Sequence, residues 1–179
     1  MPQYRIAALG IARKLQIPSV FPELSVDRNI DIALWSNGLS FPAMFTLRPY
    51  RWVSALQREL ETRFPFVAEG GVQAGALSLG QRQMLDYAMT CLTQSPLLLL
   101  DEPCAGLSTA ETAQMIDAIE ETIAGKGSTA IIIEHDMQVV ERLSDHVLVL
   151  HQGALLANGT MERIRDNPYV RAVYGGGSK

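Results

Sequence analysis

The chain has 179 residues, a formal net charge of −4 and 47% hydrophobic residues. Those figures suit one globular domain with a sizeable core and leave no basic footprint for nucleic acid, so no nucleic-acid partner is expected. No apolar stretch approaches the roughly 18 residues of a membrane span, and residues 1–20 lack the charged-then-apolar design of a signal peptide, so a soluble cytoplasmic protein is expected.

Along the chain, residues 11–16 read as a short strand, and Ile17-Pro18 forces an extended exit because the residue before proline disfavours helix. Residues 17–76 are less regular, broken by Pro18, Pro22, Pro42, Pro49 and Pro65. Val53, Leu56 and Leu60 support one amphipathic helix near 50–63. The aromatics Phe21, Trp35, Phe41, Phe45 and Trp52 are expected in the core. From Leu79 the spacing of Leu85, Ala88, Met89 and Leu92 marks a helix that Ser95-Pro96 ends. Residues 97–102, Leu-Leu-Leu-Leu-Asp-Glu, then read as a strand buried on both faces that stops in two adjacent carboxylates. Open α/β sheets bind their ligands beyond such strand tips.

Ser108 and Glu111 form a capping box for a helix whose buried stripe is Met115, Ile116, Ile119 and Ile123, stopped by Gly125 to Gly127. Residues 129–133, Thr-Ala-Ile-Ile-Ile, read as a second buried strand. Asp136 caps a short helix carrying Val139, Val140 and Leu143. Val147–Leu150 and Ala154–Ala157 form a strand pair about Gln152-Gly153, and Thr160 caps a last helix ending near Asn167-Pro168. Residues 175–179 are expected to be a flexible tail. Strand–helix alternation argues for an α/β fold with a mostly parallel sheet. Cys91 and Cys104 form no Cys-x-x-Cys pair, which argues against a disulfide framework or a zinc site.

Three motifs stand in order: Leu77-Ser78-Leu79-Gly80-Gln81, the Leu97–Glu102 strand, and Ile131-Ile132-Ile133-Glu134-His135-Asp136. Together they resemble the signature motif, Walker B strand and switch histidine of the ABC-type ATPases. Residues 9–16 resemble that family's Q-loop strand, ending in its glutamine at Gln16. Residues 134–137 and the ending 166–175 are similar to the ATP-binding subunits of branched-chain amino-acid and urea importers. The resemblance runs from residue 1 to about residue 174.

It implies a partial RecA-like P-loop NTPase core (1–16 and 96–174) and a helical subdomain (17–95). The implied cofactors are ATP and Mg²⁺. Asp101 would meet Mg²⁺ through water, as hard cations take carboxylate oxygen and keep part of their hydration shell. Gln16 would touch the metal or the attacking water. Glu102 would orient or deprotonate that water, and His135 would contact the γ-phosphate. Ser78, Gly80 and Gln81, at a helix N-terminus, would bind ATP held by a second ATPase subunit. Leu79 replaces the glycine usual at the third signature position, and Ser108 stands where the family commonly has an acid or Asn. The other implied partners are integral membrane permease subunits. Their short cytoplasmic helix would dock near residues 17–35, on Phe21, Leu24, Val26 and Ile30, holding the protein on the inner face of the membrane.

The phosphate-cradling Gly-x-x-x-x-Gly-Lys-Ser/Thr does not occur in these residues. The only Gly-Lys step is Gly125-Lys126, with Glu120 where the first glycine belongs and Gly127 where Ser or Thr would hold Mg²⁺. The chain thus looks like the C-terminal two-thirds of an ATPase subunit and is expected to be inactive alone. A non-catalytic interaction module is the alternative. In RecA-like sheets the P-loop strand lies beside the one represented by 129–133. Without it, the exposed edge is expected to self-associate or to draw 147–151 inward.

Overall fold

The computed structural model describes residues 2–36, 61–69 and 71–174. Most of the expected helix near 50–63 lies outside these residues, as do Phe41, Phe45, Trp52, the Trp35 side chain and the 175–179 tail; residues 61–63 are helical. The chain forms two compact units, Met1–Glu134 and His135–Lys179.

The first unit holds a three-stranded parallel sheet in the order β1 (Ile11–Lys14), β2 (Leu97–Asp101), β3 (Thr129–Ile133). The carboxylate-tipped strand is therefore central, between β1 and β3. Register pairs Lys14 with Leu100 and Asp101 with Ile133, so β1 stops before the Asp101 level and Gln16 lies beyond the strand end. Two strand expectations need correction. Leu98 and Leu100 are buried, but Leu97 and Leu99 are only half-buried. In β3, Ile131 and Ile133 are 57% and 60% exposed, so one face of that strand is uncovered. Its outer edge has no strand partner among the described residues, and residues 147–151 pair elsewhere; the expected inward rearrangement is not adopted.

Among the described residues the helices that accompany the sheet include α1 (Gln3–Ala8), α2 (Val26–Ser36), α3 (Leu79–Leu92) and α4 (Thr109–Lys126). Both long helices begin at a capping box, of which the one at Ser108 was expected. Ser78 and Gln81 close one capping box, Ser108 and Glu111 the other, each satisfying two orphan N–H groups. Gly127 ends α4 at φ 62°, a left-handed position that favours glycine. Leu85, Ala88 and Leu92 of α3 are buried, as are Met115 and Ile119 of α4. The Tyr87 hydroxyl ties the two helices by bonding the Ala118 carbonyl at 3.1 Å and Thr122 Oγ1 at 3.0 Å.

Helix α2 is the largest departure from the sequence reading, which gave its region as irregular. Val26, Ile30 and Ala33 recur at helical spacing and are buried. Its entry turn is held by Asn29, fully buried, whose Oδ1 accepts from the Phe21 N–H at 2.8 Å while Nδ2 donates to the Phe21 carbonyl at 3.0 Å. Val26 and Ile30 are thus core residues rather than docking surface, whereas Phe21 and Leu24 are 46% and 37% exposed.

The second unit contains α5 (Met137–Leu143), an antiparallel hairpin of β4 (Val147–His151) and β5 (Ala154–Gly159), then α6 (Met161–Asp166) and α7 (Pro168–Tyr174). Asp136 caps α5 by accepting from the Gln138 N–H at 2.8 Å. Thr160 occupies the N-cap of α6 but makes no side-chain cap bond. Pro168 opens a further helix where the expected last helix ends, since proline suits the first helical position, and Asn167 Oδ1 caps it by accepting from Tyr169 N–H at 2.9 Å. Val149, Ile164 and Val170 form the core of this unit.

Candidate functional site

Beyond the C-terminal tip of β2 the chain turns sharply. Glu102 has φ 45°, a left-handed conformation unusual for a residue with a side chain, and its N–H is anchored on the Ile133 carbonyl at 2.9 Å. That anchoring turns the Glu102 carboxylate toward the end of β1. Gln16 Nε2 donates to Glu102 Oε2 at 2.7 Å. Asp101, the last residue of β2, has Oδ2 3.6 Å from the guanidinium of Arg13. Cys104 N–H donates to Glu134 Oε1 at 3.0 Å, which fixes the loop after β2 on the residue that follows β3. Gln16, Asp101 and Glu102 therefore meet at one end of the sheet.

The Ser78–Gln81 segment belongs to the same unit. Ser78 Oγ accepts from the Gln81 N–H at 3.1 Å, and Gln81 Oε1 accepts from the Ser78 N–H at 2.9 Å. Gly80 is constrained from outside its helix: a Cβ there would lie 2.2 Å from Glu111 Oε1. The carboxylate that caps α4 thus sits against the first turn of α3, and the hydrogen bonds from Ser108 that hold it there keep its pKa below the usual range. Leu79 turns aside: its Cδ2 would be 3.0 Å from a Cβ on Gly106, whose φ of 75° also favours glycine. His135 begins the second unit, exposed, immediately before the Asp136 cap.

This packing predicts a coupled effect. Gly80→Ala gains helix propensity but must displace Glu111 from Ser108, at a cost of about 1 kcal/mol for a lost cap. The substitution should be more favourable by about that amount in a Glu111→Ala background than in the native chain. A double-mutant cycle by urea denaturation checks it; additive effects would contradict the contact.

Sequence reasoning missed the polar cluster beneath the site. Lys14 is fully buried on β1. Its Nζ donates to Gln83 Oε1 and lies 3.9 Å from Asp86 Oδ2. Gln83 Nε2 donates to the Gln16 carbonyl at 2.9 Å, and the Ser19 backbone bonds the Asp86 carboxylate. Burial lowers the Lys14 pKa, with Asp86 as the leading opposing influence. Burial pushes Asp86 up to about 6, against the pull of Lys14. The signal was present: a lysine inside a strand, with Gln83 and Asp86 close to the buried stripe of α3.

A comparison of the sequence with known families matches the ABC transporter family over residues 3–105. The high-affinity branched-chain amino acid transport ATP-binding protein LivG of Salmonella typhimurium (strain LT2) is 35% identical over 184 residues, spanning 97% of this chain and 71% of that protein. Among solved structures, a nucleotide-free ATP-binding cassette from an ABC transporter superposes with a TM-score of 0.74 at 22% identity, covering 97% of this chain and 72% of the other. The structure of an ATP-binding subunit of an ABC transporter gives a TM-score of 0.70 at 23% identity, where this chain spans 64% of the solved chain's length. The α/β arrangement with its parallel sheet is accordingly a partial RecA-like fold.

Proposed function

The chain belongs to the ABC transporter family, and on that premise we propose that it is the ATP-binding and ATP-hydrolysing subunit of an importer. The cargo proposed is branched-chain amino acids, urea or a similar small polar solute. The observation that carries the reading is the Gln16–Glu102 hydrogen bond of 2.7 Å at the tip of the central parallel strand, beside Asp101. Phosphoryl transfer asks the protein mainly for positioning and charge stabilisation, so one carboxylate held on a fixed turn suffices to orient or deprotonate the attacking water. Gln16 holds that carboxylate and moves with the segment that follows β1.

The donor set suits Mg²⁺, a hard cation that takes oxygen ligands and retains water. The Asp101 carboxylate and the Gln16 carboxamide oxygen would hold it, and the ion would neutralise charge on the phosphates. Ser78, Gly80 and Gln81 serve ATP bound by a second ATPase subunit, and His135 serves the γ-phosphate. Leu79 packs on Gly106, and the Glu111 carboxylate stands against Gly80 in the first turn of α3. No helix of the described residues is long and apolar enough to cross a membrane, so solute would pass through permease subunits on which this chain docks.

Uptake by the reconstituted importer tests the cargo: ATP-dependent accumulation of leucine or urea in proteoliposomes is expected, and its absence for every small polar solute contradicts the reading. Docking has its own test. Phe21 and Leu24 keep exposed apolar surface beside α2. Phe21→Ala with Leu24→Ala is expected to weaken pull-down of the permease by about tenfold, the equivalent of roughly 1.4 kcal/mol of lost apolar burial. Unchanged binding by a folded double variant would place the groove elsewhere.

A further inference from the structure

The segment after β1 is not held by the sheet, because β1 ends at Lys14. It is held by α3. Gln83 and Asp86 stand one helical turn apart on α3, and both reach the main chain on either side of Pro18: Gln83 Nε2 bonds the Gln16 carbonyl at 2.9 Å, and Asp86 takes the Ser19 backbone. Lys14 lies buried between them, donating to Gln83 Oε1 and to the Leu15 carbonyl at 3.3 Å and facing Asp86 at 3.9 Å. Gln83 is itself 2% exposed, so its carboxamide has both ends used inside the protein. The hydrogen bonds run in series from α3 through Gln83 to the Gln16 main chain, and from the Gln16 side chain to Glu102.

We propose that Gln83 and Asp86, with Lys14 locked between them, are positioning residues that make the Gln16 segment a rider on the helix beginning at Ser78. Any displacement of that helix then moves Gln16 relative to Glu102, whose place is set independently by the Ile133 carbonyl. The coupling needs no change in the sheet. This inference rests on the proposed hydrolytic role of Glu102 for its consequence, though not for its geometry.

The test uses Gln83→Glu and Gln83→Met in the full chain. The ionised carboxylate that Gln83→Glu introduces still accepts from Lys14 but cannot donate to the Gln16 carbonyl; the thioether of Gln83→Met does neither. Amide hydrogen exchange over residues 15–19 should rise about fivefold or more, the equivalent of one lost hydrogen bond, while residues 84–92 and 97–101 keep their protection. In an assembled transporter whose copy of this subunit carries a phosphate-cradling segment, the same variants should lower kcat with KM for ATP unaltered. Unchanged exchange at 15–19, or a uniform rise across 84–92 and 97–101, would overturn the proposal. So would raised exchange with native kcat in an assembly whose turnover Glu102→Gln abolishes. If Glu102→Gln leaves turnover intact, the hydrolytic reading fails instead, and the exchange result still decides the tether.

Discussion

The purified 179-residue chain is expected to show no steady-state ATP hydrolysis. On the proposed reading the residues at the strand tips would offer a carboxylate for the water and oxygen donors for a hard cation, but these residues contain no Gly-x-x-x-x-Gly-Lys-Ser/Thr. That loop's backbone N–H groups and its lysine would otherwise surround the β/γ-phosphates. Removing a single preorganised donor from a developing negative charge costs about 10²–10³ in rate, so loss of the whole cradle leaves turnover at background. Addition of a complete ABC ATPase subunit is expected to restore hydrolysis, because Ser78, Gly80 and Gln81 can then meet ATP bound by that subunit. Phosphate release in a coupled assay checks both halves. Clear hydrolysis by the chain alone, abolished by Glu102→Gln, would show that the phosphates find another cradle within these residues.

Asp86→Ala is expected to destabilise the first unit by about 3–5 kcal/mol, the cost of leaving one member of a buried ion pair uncompensated. Asp86 is 5% exposed and Lys14 fully buried, so water cannot replace the lost partner. Replacing both together, as Lys14→Met with Asp86→Leu, should be neutral or stabilising, since desolvation of the pair offsets most of its attraction. The same burial gives a pH signature. Asp86 has its carboxyl raised from 3.8 to about 6 in the folded state, so between those values the native protein holds the additional proton. Its contribution therefore makes stability fall as pH rises from about 4 to 6. For Lys14, lowered from 10.5, the unfolded chain holds the additional proton, and its contribution makes stability rise as pH climbs toward that value. Urea midpoints of the native chain and Asp86→Asn across pH 4–6 should diverge accordingly. A difference flat in pH would contradict the buried carboxylate.

How much of this was legible in the sequence follows the physics of each element. The β2 strand, its two acids and the Ser108–Glu111 capping box were readable, because a leucine run and a Ser-x-x-Glu spacing specify structure locally. Helix α2 was not, since Pro18 and Pro22 lie just before it and the turn that admits it depends on Asn29, a long-range polar choice with no periodic signature. The exposed faces of Ile131 and Ile133 were unreadable for a different reason: composition says that a strand is apolar, not which face finds a partner. At the site, Gln16, Asp101 and Glu102 were each visible as motif residues; the structure joins Gln16 to Glu102, while the Asp101 carboxylate faces Arg13. Lys14, Gln83 and Asp86 were overlooked because a polar residue reads as solvent-facing until its partner, about seventy positions away, is seen to face it.

Glu102, held by Gln16 at the tip of the central strand, is the group proposed to drive hydrolysis. That role is tested most directly by measuring ATP turnover and ATP binding together in an assembled importer whose copy of this subunit carries Glu102→Gln together with a phosphate-cradling Gly-x-x-x-x-Gly-Lys-Ser/Thr segment. Removing a general base costs about 10²–10⁴ in rate, and glutamine keeps the side-chain shape. The kcat is predicted to fall by at least about a hundredfold while ATP stays bound with near-native affinity. Native turnover in the variant, or loss of turnover only through loss of ATP binding, would contradict it.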